Sequence, residues 1–263
     1  MTQSDDTQIH RPSTLLALAE APRAMLELSW LSIIAPLLRQ APRGDGHPVL
    51  VLPGFVTSDR STRLLRRYLA DLGYDAHGWE LGRNLGPKAI GMRGERLTRR
   101  LLSVHRATRS KVSLVGWSLG GVMARELARS APHAVRQVIT LGSPFTGNPH
   151  ASTVSHLYER LTGDVIDSGL MAERLALGST PPPVPSTAIF SRTDGIVAWR
   201  NCVEPRGEQT DNIEVRASHC GMGVNPAVMY AVADRLARPE GQWSPFHRKG
   251  WRAAVYPFSG HLN

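Results

Sequence analysis

The residues most able to do chemistry lie in Val112-Ser-Leu-Val-Gly116-Trp-Ser118-Leu-Gly120-Gly121, where a glycine stands two places to either side of a serine. The apolar run before Gly116 reads as a buried strand, and residues 119–130 carry helical spacing. A serine at a sharp strand-to-helix turn sits in strained backbone, and the turn closes only if the flanking positions lack a bulky Cβ. Gly116 and Gly120 meet that requirement. The same turn places Ser118 at a helix N-terminus, where free N–H groups and the helix dipole favour developing negative charge. Ser118 is therefore the candidate nucleophile, with Gly116 and Gly120 as its elbow.

A nucleophilic serine needs a base and a group that orients the base. The strand pattern Thr187-Ala-Ile-Phe190 runs into Ser191-Arg-Thr-Asp194-Gly195, and Ile213-Glu-Val215 runs into Arg216-Ala-Ser-His219, so Asp194 and His219 each stand one short loop beyond a strand end. Asp194 would hold the imidazole of His219 in the tautomer whose Nε2 takes the Ser118 proton. The other histidines fit less well: His10, His47, His77, His105, His133, His150 and His156 precede Asp194, and His247 and His261 lie near the end of the chain. Acyl transfer also needs two donors aimed at the oxyanion. The N–H of Leu119, next after the serine, is one, and the Pro53-Gly54-Phe55 turn after the apolar run 49–52 offers the N–H of Phe55 as the other.

These residues need a scaffold, and the rest of the sequence describes one. Short β-rich runs at 49–52, 74–79, 112–115, 138–141, 187–190 and 213–215 alternate with helical patterns at 64–72, 94–109, 119–130 and 226–236. Such alternation predicts an α/β fold with a mainly parallel, six-stranded sheet and helices on both faces. The core covers 45–144 and 185–238. The interval 145–184 carries helical patterns at 154–161 and 165–177 and is too long for a simple crossover, so it reads as a small helical cap. Residues 1–44 read as a polar tail followed, over 15–38, by one or two helices laid on the core, with an interfacial membrane anchor as the alternative. Residues 239–263, with Trp243, Phe246, Trp251, Tyr256 and Phe258, read as an extended tail packed by its aromatics.

The composition narrows the class further. The chain has 263 residues, 41% hydrophobic and 20% charged, enough to bury a full core and too apolar for general disorder. No window holds the roughly 18 uninterrupted apolar residues expected of a spanning helix. The net charge is +9, but the basic residues are mostly scattered arginines with no basic run or interleaved aromatics, which points away from nucleic acid. A weak attraction to an anionic membrane surface or substrate is the contact this charge allows. The start is polar and carries Asp5 and Asp6 where a signal peptide would be positive, so cytoplasmic is the default expectation. No metal spacing, phosphate loop or dinucleotide fingerprint occurs, and no cofactor is expected.

Taken together, Leu52-Pro-Gly-Phe55, Gly116-Trp-Ser-Leu-Gly-Gly121, Leu141-Gly-Ser-Pro-Phe145, Ser191-Arg-Thr-Asp-Gly195 and Ser218-His-Cys-Gly-Met-Gly223 resemble the α/β-hydrolase family, in particular its bacterial esterases and lipases. The resemblance runs from about residue 48 to 236. It implies a Ser-His-Asp triad, an oxyanion hole, no cofactor and a small or lipid-like carboxylic ester as substrate. Two departures stand out: Pro53-Gly54 replaces the usual His-Gly, and no antiparallel strands precede Val49. The resemblance would also place Phe55, Trp117, Leu170, Met171, Met222 and Val224 near an acyl pocket, each with a packing role as its alternative. Acyltransferase, thioesterase or lactonase chemistry on the same triad stays open, as does a membrane-associated scaffolding role on the same fold. In this fold the Asp194 and His219 loops are neighbours, which makes Cys202 and Cys220 a candidate disulfide against a pair of free thiols. Closing a loop of about 19 residues would contribute roughly 3 kcal/mol. The oligomeric state is not legible.

Overall fold

The computed structural model describes residues 11–146, 178 and 180–262. Its sheet has six strands: β1 (Pro48–Leu52), β2 (Asp75–Gly78), β3 (Val112–Trp117), β4 (Val135–Leu141), β5 (Ser186–Phe190) and β6 (Thr210–Glu214). They run parallel, as the alternating pattern predicts, and lie in the order β2-β1-β3-β4-β5-β6. The chain begins one strand in from an edge, adds β2 at that edge and returns across β1 to build β3 to β6 on its other side. The reversal of strand order puts the ends of β1 and β3 side by side, where doubly wound sheets place their sites.

Both faces of the sheet are covered, so the strands are apolar on both sides rather than alternating. Val49, Val51, Val115, Ile139, Ile189 and Ile213 point to the face packed by α2 (Glu20–Leu38), α3 (Arg63–Asp71) and α7 (Pro226–Leu236). Leu50, Leu52, Leu114 and Val138 point to the opposite face, covered by α4 (Pro87–Ile90), α5 (Glu95–Thr108) and α6 (Leu119–Ser130). Gly73 ends the α3 region at φ +98°, a left-handed position that suits glycine beyond a helix end.

Three departures from the sequence expectations have physical causes. Strand β6 starts at Thr210, because the buried polar Asp211 and Asn212 are satisfied from outside the sheet: Asp211 Oδ2 accepts from the Phe246 N–H at 2.6 Å and Asn212 Oδ1 from the Glu204 N–H at 2.7 Å. The tail is not wholly extended. It forms a short helix, α8 (Arg252–Val255), then bridges Ser259 antiparallel to Ile213 and so covers the β6 edge. Tyr256 is buried, its hydroxyl donating to Ala227 O at 2.8 Å and its ring 4.7 Å edge-on from Phe246. The N-terminal pattern resolves into α1 (Thr14–Leu18), capped by Ser13, and α2, yet only the C-terminal part of α2 (Leu31, Ile34 and Leu38) joins the core. By length and composition alone α2 could cross a membrane, which the test of uninterrupted apolar residues misses. The expected cap, with its helices at 154–161 and 165–177, lies almost entirely outside the described residues.

Candidate active site

At the end of β3 the chain turns sharply into α6, and Ser118 occupies the turn at φ 53°, ψ −124°. A non-glycine residue there stores on the order of 1–3 kcal/mol of strain. The turn is held by the Ser118 N–H donating to Leu141 O at 2.8 Å. A Cβ at Gly116 would collide with the backbone of Gly120 and Gly121, and one at Gly120 would lie 2.5 Å from Leu52 O. Both glycines are therefore required by the close approach of β3, α6 and β1. Ser118 and Leu119 are half-buried, so the serine lies within reach of solvent at the start of α6.

The other two candidates converge on it from neighbouring strands. His219 Nε2 lies 3.0 Å from Ser118 Oγ, and His219 Nδ1 lies 2.6 Å from Asp194 Oδ2. The second oxygen of Asp194 accepts the N–H groups of Ile196 and Val197, each at 2.8 Å, which fixes the carboxylate so that Oδ2 faces the imidazole. The two loops are tied to each other by Ser191, whose hydroxyl donates to Ala217 O at 2.7 Å. Trp117 adds a further tie, its indole N–H donating to His219 O at 3.1 Å.

Burial alone would push the His219 pKa down, but the charge of Asp194, its hydrogen bond and the charge of Glu20 outweigh burial and hold it above the ordinary 6.5. A base must be neutral to accept a proton. For a reaction that uses His219 as its base, the acid limb of kcat/KM should therefore have its midpoint above 6.5, measured as a pH–rate profile. Stability has the opposite sign. The raised pKa means the folded state favours the imidazolium, so its contribution is full below the unfolded value of about 6.5 and is lost as pH rises through the folded value. Across that window the contribution of His219 to the melting temperature should fall while activity rises.

Two residues of the site were not apparent from the sequence. Glu20, at the start of α2 and only 4% exposed, accepts from the N–H groups of Gly195 at 2.8 Å, His219 at 3.1 Å and Cys220 at 2.8 Å. It joins the Asp194 and His219 loops through one carboxylate. Arg23 and Glu27, on the same face of α2, extend the clamp to Thr193 O at 2.6 Å and the Ser218 N–H at 2.7 Å. Asn84 is the second. Fully buried, it donates to Pro53 O at 2.8 Å, while its backbone N–H donates to Thr57 O at 2.7 Å and its carbonyl accepts from Val56 N–H at 2.8 Å. It thereby sets the loop that carries Phe55, where Val56 is held at φ 56°, a conformation costly for a β-branched residue. That loop lies against the serine: a Cβ on Gly54 would be 3.4 Å from Ser118 Cβ. The partners of Glu20 and Asn84 are largely backbone groups remote in sequence, so no motif marks them.

The remaining candidates divide. Phe55, Trp117 and Val224 are half-buried around the serine and histidine turns. Met222 is fully buried in the main core beside Gly142, so it packs beneath the site and does not line it. Leu170 and Met171 lie outside the described residues. The disulfide expectation is corrected: Cys202 and Cys220 are both free. Cys202 turns inward on the 3₁₀ turn Trp199–Cys202, packing with Phe190 and Val197, whereas Cys220 faces outward beyond His219. Neighbouring loops do not guarantee facing Cβ atoms. Burial and the charge of Asp194 push the Cys202 thiol up, and partial burial with the charge of Glu20 pushes Cys220 up to about 11. Thiol titration of unreduced protein should give two groups in denaturant, with only Cys220 reacting, slowly, in the native state. Among the described residues no group of three or more His, Cys, Asp or Glu could hold a metal ion.

With this geometry in view, likeness to known proteins can be placed. Residues 95–172 match the model of a family described as a PGAP1-like alpha/beta domain. No curated protein matches the sequence. Among solved structures, Aspergillus fumigatus lipase B superposes with a TM-score of 0.57 at 18% identity, covering 76% of this chain and 54% of the lipase. The chain thus spans about half the length of that protein. Bacillus licheniformis lipase BlEst2 in its mature form gives 0.56 at 18% identity, with 75% and 94% covered. A Paleococcus ferrophilus monoacylglycerol lipase gives 0.52 at 14% identity, with 73% and 96% covered. Six parallel strands in this order, with a serine turn between the third strand and its helix, give the chain the α/β-hydrolase fold.

Proposed function

We propose that this chain is a carboxylic ester hydrolase of the esterase and lipase kind, working through an acyl-enzyme on Ser118. The reading is carried by one observation, the hydrogen-bonded series Ser118 Oγ to His219 Nε2 at 3.0 Å and His219 Nδ1 to Asp194 Oδ2 at 2.6 Å. In this reading His219 takes the Ser118 proton as Oγ attacks the ester carbonyl. The N–H groups of Leu119 and Phe55 stabilise the tetrahedral oxyanion, aided by the N-terminal end of α6. His219 then gives the proton to the departing alkoxide, the C–O bond breaks, and an acyl-Ser118 and an alcohol remain. Water, activated by the same imidazole, releases the acid and restores the serine. Asp194 orients the imidazole and stabilises the imidazolium. The solved lipases that share the fold support an ester as substrate.

The test is hydrolysis of p-nitrophenyl esters from acetate to palmitate together with capture by a fluorophosphonate. Turnover, and a mass increment confined to the peptide containing Ser118, are expected. Labelling elsewhere, or turnover with Ser118 unlabelled, would overturn the assignment. The chain-length optimum would divide esterase from lipase behaviour.

A further inference from the structure

Helix α2 is apolar nearly all round, and the few charges it carries, all in its first half, do not face solvent as they would on an ordinary surface helix. Its only charged residues, Glu20, Arg23 and Glu27, all turn toward the protein, where they bond the 193–195 and 218–220 loops. The inward stripe continues as Leu31, Ile34 and Leu38, so positions 20, 23, 27, 31, 34 and 38 form one face at helical spacing. A second stripe, roughly a third of a turn around the helix from the first, is apolar and open to solvent: Leu26 is 61% exposed, Trp30 55%, Ile33 68% and Leu37 60%. Met25 and, on α1, Leu18 widen it at 72% and 73%. An ordinary surface helix keeps its charged residues on the exposed side, and contiguous exposed apolar patches of this kind mark an interaction surface.

The neighbouring surface has a definite charge. Helix α3 and the turn before it expose Arg60, Arg63 and Arg67 at helical spacing. Arg39 and Arg43, with Arg67, outnumber the single acid Asp71 along a groove of about 480 Å³ between α2 and α3 whose walls include Leu31, Ala35 and Leu64. We propose that the outer face of α1 and α2, with the arginines of α3 beside it, docks on an anionic lipid bilayer. The bilayer supplies both things the surface asks for, an apolar layer for the leucine face and phosphate groups for the arginines. A two-fold copy of this chain would meet the apolar stripe with an identical one and bring no acidic counterpart from α1 or the exposed face of α2. Helix α2 lies flat in this arrangement. The ties of Glu20, Arg23 and Glu27 hold its first turns along the body, so it seats in the interface and does not span it. Docking does not depend on the proposed hydrolysis, and its test uses no substrate.

The full chain is sedimented with sucrose-loaded vesicles of phosphatidylcholine, alone or mixed with phosphatidylglycerol, beside the double variants Leu26→Glu/Ile33→Glu and Arg63→Glu/Arg67→Glu. Wild type should pellet with the mixed vesicles and about tenfold or more less well with the neutral ones. Each double variant should lose about tenfold or more of that binding while keeping the wild-type melting temperature, since all four residues are exposed. Wild type remaining in the supernatant with both vesicle types would overturn the proposal. So would self-association without vesicle binding that Leu26→Glu/Ile33→Glu dissolves, which would make this face a contact between copies. Should that variant misfold, the dependence on lipid charge and the arginine variant still decide.

Discussion

Ester turnover should fall by about 10⁶-fold when Ser118 is replaced by alanine, with kcat carrying the loss and the melting temperature nearly unchanged. The size follows from what the substitution removes. Without Oγ no acyl-enzyme forms, and His219 and Asp194 have no proton to move, so three residues fail together. What remains is the positioning of the ester and the donors at Leu119 and Phe55, typically worth about 10³–10⁴ over water. Stability should hardly move, because alanine inherits the same strained φ of 53° and loses one hydrogen bond, to His219. Asp194→Asn is the companion measurement. Its remaining oxygen can keep the Ile196 and Val197 N–H groups, which turns the amide NH₂ toward His219 Nδ1 and forces the wrong tautomer. A loss of about 10⁴-fold is expected from it alone, and none beyond that of Ser118→Ala in the double variant. Steady-state kinetics of the four proteins would decide: a Ser118→Ala enzyme keeping more than about a hundredth of wild-type kcat, against the expected loss, rules out the serine as nucleophile.

What could be read from the sequence divides along physical lines. Ser118, Asp194 and His219 were legible because each sits at the end of a strand pattern or one short loop beyond it, and chain order alone then limits the pairing. Gly116 and Gly120 were legible because close packing leaves no room for a side chain there. Strand β6 was only half visible, since Asp211 and Asn212 look like loop residues until Phe246 and Glu204 supply their partners. The cysteines show the limit of reasoning from neighbouring loops: adjacency was inferred, side-chain direction was not. The N-terminal helices show a different limit. Helical periodicity identifies two stripes on α2 but not which of them faces the protein, and the charged stripe is the inner one because buried loop N–H groups need its carboxylates.

Glu20 is where that inner stripe meets the chemistry, and Glu20→Ala should cost about 3–5 kcal/mol of stability, with kcat/KM about 10²-fold lower. Three N–H groups, of Gly195, His219 and Cys220, lose their acceptor at once. Each buried donor left unpaired costs about 1–3 kcal/mol, with the more accessible Cys220 amide toward the low end. For a chain of this size the melting temperature should drop by roughly 6–20 °C. The kinetic loss arises because the carboxylate spans the two loops that set the Asp194–His219 distance, and a displacement of about 1 Å at a reacting group is worth about 10²-fold. Glu20→Gln separates positioning from charge. The amide oxygen can still accept from Gly195 and His219, so most of the stability should return, yet the negative charge that helps raise the His219 pKa is gone. The acid limb of kcat/KM should then shift to lower pH in Glu20→Gln, a displacement that a merely structural residue would not produce. A Glu20→Ala protein with wild-type melting and kinetics would remove the clamp from the mechanism and leave α2 attached to the body only through Leu31, Ile34, Leu38 and its remaining polar ties.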